Sequence, residues 1–246
     1  MVEQPTPAGE IRAGAAAPAA VGTVVLALGD SVAAGIGASH VSAGCMGVLT
    51  VALRARWPEV ALVNLAVPGE SSATMLVPGG QLDRAEELIA EVARSGGRVG
   101  PLALCIGGND MMEAALLGDD EALRQFDDNL AVIAARLDTA LRAGGSALAE
   151  VGCIQTIYNP FEPHAVDGGS NGADADRMAP RRATRGGYNR VIRLLAAAAG
   201  LRVVEVASRF RGRAGELTWV RSGDIHPTDE GHALIAAAYL ALCAGA

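Results

Sequence analysis

Residues 24–31 read Val-Val-Leu-Ala-Leu-Gly-Asp-Ser, and this stretch decides the fold. Five aliphatic residues in a row suit a strand that is buried on both faces, as in a parallel sheet. Gly29 ends the strand and places Asp30 and Ser31 directly after it. Ligands bind beyond the carboxyl ends of the strands in such sheets, so we expect chemistry at these positions.

Four more aliphatic runs follow, and helical patterns separate them. We expect strands at residues 60–65, 102–106, within 147–157 and at 201–206. Apolar residues that recur at steps of three and four predict helices at residues 81–94, 120–142, 182–199 and 229–243. This alternation predicts an α/β fold: a three-layer α/β/α sandwich with a five-stranded, mainly parallel sheet.

Composition limits the domain count and the class of protein. A chain of 246 residues, 50% hydrophobic and 19% charged, suits one globular α/β domain. We assign this domain to residues 22–246 and predict that residues 1–21, rich in Ala, Pro and Gly, form a disordered tail. Residues 158–187, rich in Gly, Pro, Asp and Arg, are predicted to be a long excursion at the edge where ligands bind.

Charge and cysteine usage exclude several functions. The net charge of −7 argues against a basic surface for nucleic acid. Every basic side chain is Arg, so a Lys nucleophile and a P-loop lysine are excluded. The four cysteines form no C-x-x-C pair, and we expect buried, reduced thiols and no metal or redox motif. With no apolar run long enough to span a membrane and no basic leader, we expect a cytoplasmic protein.

Three further segments at strand ends or before the last helix carry polar residues. The second strand leads into Asn-Leu-Ala-Val-Pro-Gly at residues 64–69, and the third leads into Gly-Gly-Asn-Asp at residues 107–110. Gly-Asp-Ile-His-Pro at residues 223–227 precedes the final helix. Together with Gly29-Asp30-Ser31, these segments resemble the GDSL/SGNH hydrolase family from Leu26 to about His232.

The resemblance implies a flavodoxin-like fold and assigns roles to four residues. Ser31 would be the nucleophile and His226 the base that takes its proton, because a Ser hydroxyl is a poor nucleophile until an imidazole activates it. The oxyanion hole would consist of the backbone N–H groups of Ser31 and Gly69 and the side-chain amide of Asn109. No cofactor is implied, and the partner would be a small-molecule acyl ester or thioester.

The acid that orients His226 departs from the family pattern. The usual acid stands three residues before the His, where this chain has Gly223, and Asp224 stands two before. Asp224, a backbone carbonyl near residues 222–223, or Asp229 could accept the hydrogen bond from the ring. We favour Asp224, since a carboxylate stabilises an imidazolium better than a neutral carbonyl does.

Several alternatives remain open at this point. The same residues would serve an acyltransferase, and a catalytically silent binding protein could keep this fold. A metal site formed by His226, Asp229 and His232 fits no standard spacing. Short-chain esters, lysophospholipids, acyl thioesters and acetylated natural products are all compatible substrates, and the oligomeric state is left open.

Overall fold

The computed structural model describes residues 22–117, 119–161 and 182–243. The tail predicted at residues 1–21, and residues 162–181 of the predicted excursion, lie outside the described residues. Five strands form one sheet in the order β2-β1-β3-β4-β5, and every pair of neighbours is parallel. The strands are β1 (Thr23–Gly29), β2 (Ala61–Asn64), β3 (Arg98–Cys105), β4 (Gly152–Gln155) and β5 (Arg202–Val204).

Helices occupy the connections between the strands. They are α1 (Ser31–Ala34), α2 (Cys45–Leu53), α3 (Ser72–Met75), α4 (Gln81–Arg94), α5 (Gly108–Leu117), α6 (Asp119–Ala143), α7 (Leu148–Val151), α8 (Arg182–Ala199), α9 (Val206–Phe210), α10 (Ala214–Leu217) and α11 (Asp229–Cys243), with 3₁₀ turns at Val41–Ala43 and Trp219–Ser222. The structure confirms the predicted α/β fold with its five-stranded sheet.

The two faces of the sheet bury different side chains. Val24, Leu26 and Leu28 of β1 belong to a cluster with residues of α4, α6 and α8. Val25 and Ala27 point the other way, into a cluster with residues of α2 and α11. A strand buried on both faces must be apolar at every position, which explains the unbroken aliphatic run that opens the domain.

The strand order places a crevice beside the first strand. The chain moves outward from β1 to β2 in one direction and from β3 to β5 in the other. In doubly wound sheets of this order, ligands bind at the carboxyl edge where the direction changes, between β1 and β3. Ser31 follows β1 and Asn109 follows β3, so both lie at this point.

The predictions on cysteine thiols and on membrane-spanning helices can be compared with the part of the chain that the structure describes. All four cysteines are buried and free, as predicted. Burial raises the pKa of the Cys45 thiol to about 12 and that of the Cys153 thiol to about 11, so both stay protonated. No helix in residues 22–117, 119–161 and 182–243 is long and apolar enough to cross a membrane.

Candidate active site

The turn after β1 holds Ser31 in place. Gly29 has a φ of +131°, and a Cβ there would lie 1.8 Å from the Cys105 carbonyl oxygen, so only glycine fits. Asp30 caps the short helix α1 through a hydrogen bond of 2.9 Å from the Val32 N–H to its Oδ1. Ser31 is therefore the first residue of α1, at the carboxyl end of a central strand.

His226 reaches Ser31 from the loop that precedes α11. The distance from His226 Nε2 to Ser31 Oγ is 2.9 Å, which is a hydrogen bond. Gly37, with φ +93°, lets the loop after α1 pass against this histidine: a Cβ there would lie 2.9 Å from His226 Cβ and 2.4 Å from the Pro227 carbonyl oxygen. The imidazole is thus in position to take the Ser31 proton.

Asp224 lies against the other ring nitrogen. Its Oδ1 is 2.5 Å from His226 Nδ1 and also accepts the His226 backbone N–H at 3.0 Å. Gly223, with φ +84°, turns the chain so that an acid two residues before the histidine can reach the ring. Partial burial raises the pKa of Asp224, but the hydrogen bonds from His226 outweigh it, and the net shift is downward, which favours the carboxylate.

Asp229, another candidate for the orienting acid, binds elsewhere. Asp229 accepts hydrogen bonds from the Ser39 N–H at 2.7 Å and from the Ser39 hydroxyl at 2.5 Å. The structure therefore brings Asp224, and not Asp229, to His226.

A hydrogen bond joins Asn109, which follows β3, to the segment after β2 that carries Gly69. Gly69 has a φ of +86°, and no atom lies within 4 Å of where a Cβ would stand, so its backbone is open to a ligand. Asn109 Nδ2 donates to the Glu70 carbonyl at 2.8 Å, a contact across 39 positions rather than a local Asx turn. No described residue accepts a hydrogen bond from the N–H of Ser31 or Gly69.

Two aspartates brace these loops. Asp30 is only 5% exposed, and burial is the main reason that its pKa rises to about 6. Both carboxylate oxygens of Asp110 lie 3.0 Å from the Ser72 N–H, and the Ser72 hydroxyl donates to Asp110 as well. Both aspartates accept backbone hydrogen bonds, and Asp110 ties the start of α3 to the start of α5.

An apolar pocket opens beside Ser31 and His226. Its empty volume is about 650 Å³, the mouth included. Its apolar lining comes from the ends of β3 and β4, from α5 and from the loop before α11: Ile106, Met111, Met112, Ile157, Tyr158, Pro160, Phe161 and Ile225. Pro160 and Phe161 belong to the first part of the predicted excursion. That part therefore borders the site, as expected.

One residue that supports the site, Trp219, was not predicted. Trp219 Nε1 donates to the Gly37 carbonyl at 2.8 Å, and the Trp219 N–H donates to the His226 carbonyl at 3.0 Å. The indole thereby fastens the His226 loop to the loop after α1. No feature of the sequence pattern distinguishes this Trp, because its contact depends on two loops that only the folded chain brings together.

His232 is a buried structural histidine. Its Nδ1 accepts the Cys45 N–H at 3.2 Å, and its Nε2 donates to the Ile36 carbonyl at 3.0 Å. Burial lowers its pKa, which keeps the ring neutral. His232 does not share a site with His226 and Asp229, and the described ranges contain no cluster of side chains that could hold a metal.

Known proteins resemble this chain in fold and in sequence. An α/β hydrolase from the metagenome of Lake Arreo, Spain, is 23% identical with a TM-score of 0.61, covering 90% of this chain and 95% of that one. TesA is 23% identical with a TM-score of 0.59, covering 88% and 94%. The acetylxylan esterase Axe2 from Geobacillus stearothermophilus is 19% identical with a TM-score of 0.61, covering 89% and 92%.

These structural likenesses show the fold, and the family follows from the sequence. A search of curated proteins found no match. The model of the GDSL-like lipase/acylhydrolase family matches residues 27–234, which include Ser31, Gly69, Asn109 and His226. The chain is therefore a hydrolase that belongs to the GDSL-like lipase/acylhydrolase family.

Proposed function

We propose that this protein is a serine esterase or thioesterase that cleaves a small acyl ester or acyl thioester through an acyl-Ser31 intermediate. The observation that carries the proposal is the continuous relay from Ser31 Oγ to His226 Nε2 and from His226 Nδ1 to Asp224. A serine hydroxyl is activated when a base contacts it and an acid orients that base, and these three residues have that arrangement.

In the acylation step, His226 Nε2 takes the proton as Ser31 Oγ attacks the carbonyl carbon of the substrate. The carbonyl oxygen becomes an oxyanion, which would accept hydrogen bonds from the N–H groups of Ser31 and Gly69 and from Asn109 Nδ2. Asp224 stabilises the imidazolium that forms. The bond to the leaving oxygen or sulfur then breaks, and the leaving group takes the proton from His226.

In the deacylation step, a water molecule replaces the leaving group. His226 accepts a proton from the water as it attacks the acyl-Ser31 carbonyl carbon, and the same donors hold the second oxyanion. The bond to Ser31 Oγ breaks, Ser31 regains its proton from His226, and the free acid leaves. An alcohol in place of the water would give acyl transfer through the same steps.

The pocket supports an acyl group as the part of the substrate that lies beside Ser31. Its mainly aliphatic and aromatic lining offers burial to a hydrocarbon chain. We therefore expect turnover to depend on the length of the acyl chain, since each buried methylene contributes roughly 0.8 kcal/mol of transfer free energy.

The test combines a panel of p-nitrophenyl esters and acyl thioesters with a fluorophosphonate probe. Ser31→Ala should lower kcat by about a thousandfold or more, because the covalent route is lost, and should abolish labelling. Ser71→Ala is the matched control: Ser71 lies in the nearby Gly-Glu-Ser-Ser stretch but caps α3, and this variant should keep its label. Near-normal turnover of Ser31→Ala, with the label on Ser71, would contradict the proposal.

A further inference from the structure

Gln81 holds the peptide group of the residue that precedes the nucleophile turn. It is the first residue of α4 and is only 3% exposed. Its Oε1 accepts the Gly29 N–H at 2.5 Å, and its Nε2 donates to the Gly29 carbonyl at 2.9 Å. One side-chain amide thus binds both polar groups of Gly29, two residues before Ser31.

The second N–H of the same amide goes to Glu70. Gln81 Nε2 lies 2.8 Å from Glu70 Oε2, and Glu70 is only 7% exposed. The Thr74 hydroxyl donates to the other carboxylate oxygen. Because Glu70 can only accept and the Gly29 N–H can only donate, the orientation of the Gln81 amide is fixed.

Glu70 connects this pair to the oxyanion site. It follows Gly69 directly, and its backbone carbonyl accepts the hydrogen bond from Asn109 Nδ2 at 2.8 Å. The chain of contacts from Gly29 through Gln81 and Glu70 to Asn109 therefore joins the segments that follow β1, β2 and β3. Each of these segments supplies one donor of the oxyanion site in the proposed reaction.

We propose that Gln81 and Glu70 are positioning residues that lock the three oxyanion donors into one geometry. The inference rests on the proposed function. Backbone hydrogen bonds between β1 and the segment after β2 continue as far as Val67, whose N–H donates to the Gly29 carbonyl at 2.9 Å, so Gly69 and Glu70 lie just beyond the last of them. A buried amide and a buried carboxylate with their hydrogen bonds satisfied extend this fixed geometry beyond the backbone pairing. Oxyanion donors need such rigidity, because their effect depends on being preorganised.

The test is Gln81→Met, which keeps the length of the side chain and removes its three hydrogen bonds. We expect kcat for a p-nitrophenyl ester to fall by about 10- to 100-fold with KM within about twofold. The reason is that less ordered donors stabilise the oxyanion of the transition state less well. In the Asn109→Ala background the same substitution should cost less, because one of the three donors that it positions is already gone.

Arg136→Met is the matched control. Arg136 holds α4 to α6 through Asp83 at 2.6 Å and Glu86 at 2.6 Å, so its loss loosens the same helix without touching Gly29 or Glu70. We expect this variant to keep its kcat. The inference is wrong if Gln81→Met loses no more kcat than Arg136→Met, or if its effect and that of Asn109→Ala simply multiply.

A readout without substrate separates this inference from the proposed function. Hydrogen exchange of peptides that cover residues 65–72 should become faster in Gln81→Met and not in Arg136→Met. If the wild-type protein neither cleaves esters nor binds the fluorophosphonate, the proposed function fails, while exchange still decides whether Gln81 orders this segment. If the wild-type protein is active and exchange is unchanged in Gln81→Met, the inference alone fails.

Discussion

Asp224 shows how a single residue can depart from a family pattern and keep the geometry. The family places the acid three residues before the histidine, and here the separation is two. Gly223 adopts a left-handed conformation, and Asp224 Oδ1 accepts both the backbone N–H and the ring N–H of His226. The shorter spacing therefore produces a tight turn in which one oxygen orients both groups of the histidine.

The first residue-scale prediction concerns this acid. Asp224→Asn should lower kcat by about 10⁴-fold, the loss seen when the equivalent acid of a serine-protease triad is changed, because the amide can no longer stabilise the imidazolium. Steady-state kinetics on a p-nitrophenyl ester measures it. Asp229→Asn, three residues on the other side of His226, is the control and should keep most of its kcat. Comparable activity in the two variants would favour a Ser31–His226 dyad.

The second residue-scale prediction concerns Asp30. Burial raises its pKa from 3.8 to about 6 in the folded protein, so the fold binds the proton more tightly than the unfolded chain does. Stability is therefore lost as the pH rises from about 4 to about 6, by up to roughly 3 kcal/mol for a shift of about two pKa units.

Asp30→Asn removes this pH dependence, since the amide does not ionise. The stability of the variant relative to the wild type should grow between about pH 4 and pH 6 and then level off. Urea unfolding at several pH values measures it, and Asp128→Asn at an exposed position on α6 gives the baseline. A difference in unfolding free energy that is constant with pH would show that Asp30 is not the group responsible.

The residues of the candidate site could be found from the sequence more readily than the residues that support them. Ser31, Gly69 and Asn109 stand in short motifs after strands, where the sheet itself predicts a site, and His226 stands in a short motif before the last helix. Gln81 stands at the start of an amphipathic helix, where a polar residue is ordinary. Its role depends on how close Gly29 and Glu70 come to α4 in the folded chain, and no local sequence pattern indicates that.

Elements were predicted well where their periodicity is strong. Helices α4, α8 and α11 have the predicted bounds, and α6 extends one residue beyond each end of its prediction. Helix α2 was not predicted because residues 45–53 are apolar on almost every side and carry no helical period. Helix α5 begins with Gly-Asn-Asp, which is typical of a turn.

Strand β3 begins earlier than predicted, and a proline explains the difference. Pro101 cannot donate to a ladder, so residues 98–101 did not suggest a central strand. In the structure, Val24 pairs with Val99 and Leu26 pairs with Leu102, so β3 contains one extra residue at this point. The extra residue is a bulge, which accommodates the proline inside a central strand.

One prediction belongs to helix α11. Gly231→Ala would normally stabilise a helix by about 1 kcal/mol, but here the new Cβ would lie 2.1 Å from the Leu217 carbonyl oxygen. We expect the opposite sign, a loss of about 1–3 kcal/mol, as for other overpacked sites. The new Cβ would also lie 2.9 Å from Cβ of Pro227, which directly follows His226, so kcat should fall too.

The control for this prediction lies on the exposed face of the same helix. Ala237→Gly should cost roughly 1 kcal/mol through helix propensity alone and leave kcat unchanged. Thermal unfolding and ester hydrolysis are measured on both variants. A melting temperature of Gly231→Ala above that of the wild type would show that α11 can shift away from Leu217.

At the scale of the whole molecule, the sequence predicts the three layers of helices and sheet but not the order of the strands within the sheet. Aliphatic runs between amphipathic helices indicate a parallel sheet with helices on both faces, and the structure has this architecture. Which strands are neighbours depends on how the helices share the two faces, a property of the complete fold. The crevice between β1 and β3 follows from that order and explains why Ser31 and Asn109 both lie there.

The separation of Ser31 and His226 by 195 positions has a consequence during protein synthesis. A growing chain presents the serine early, long before the segment that carries the imidazole has been translated. Until that segment joins the fold, Ser31 lacks the hydrogen bond between its Oγ and His226 Nε2. In the proposed reaction, a chain that is still being synthesised therefore cannot activate its serine before almost all of the domain has been made.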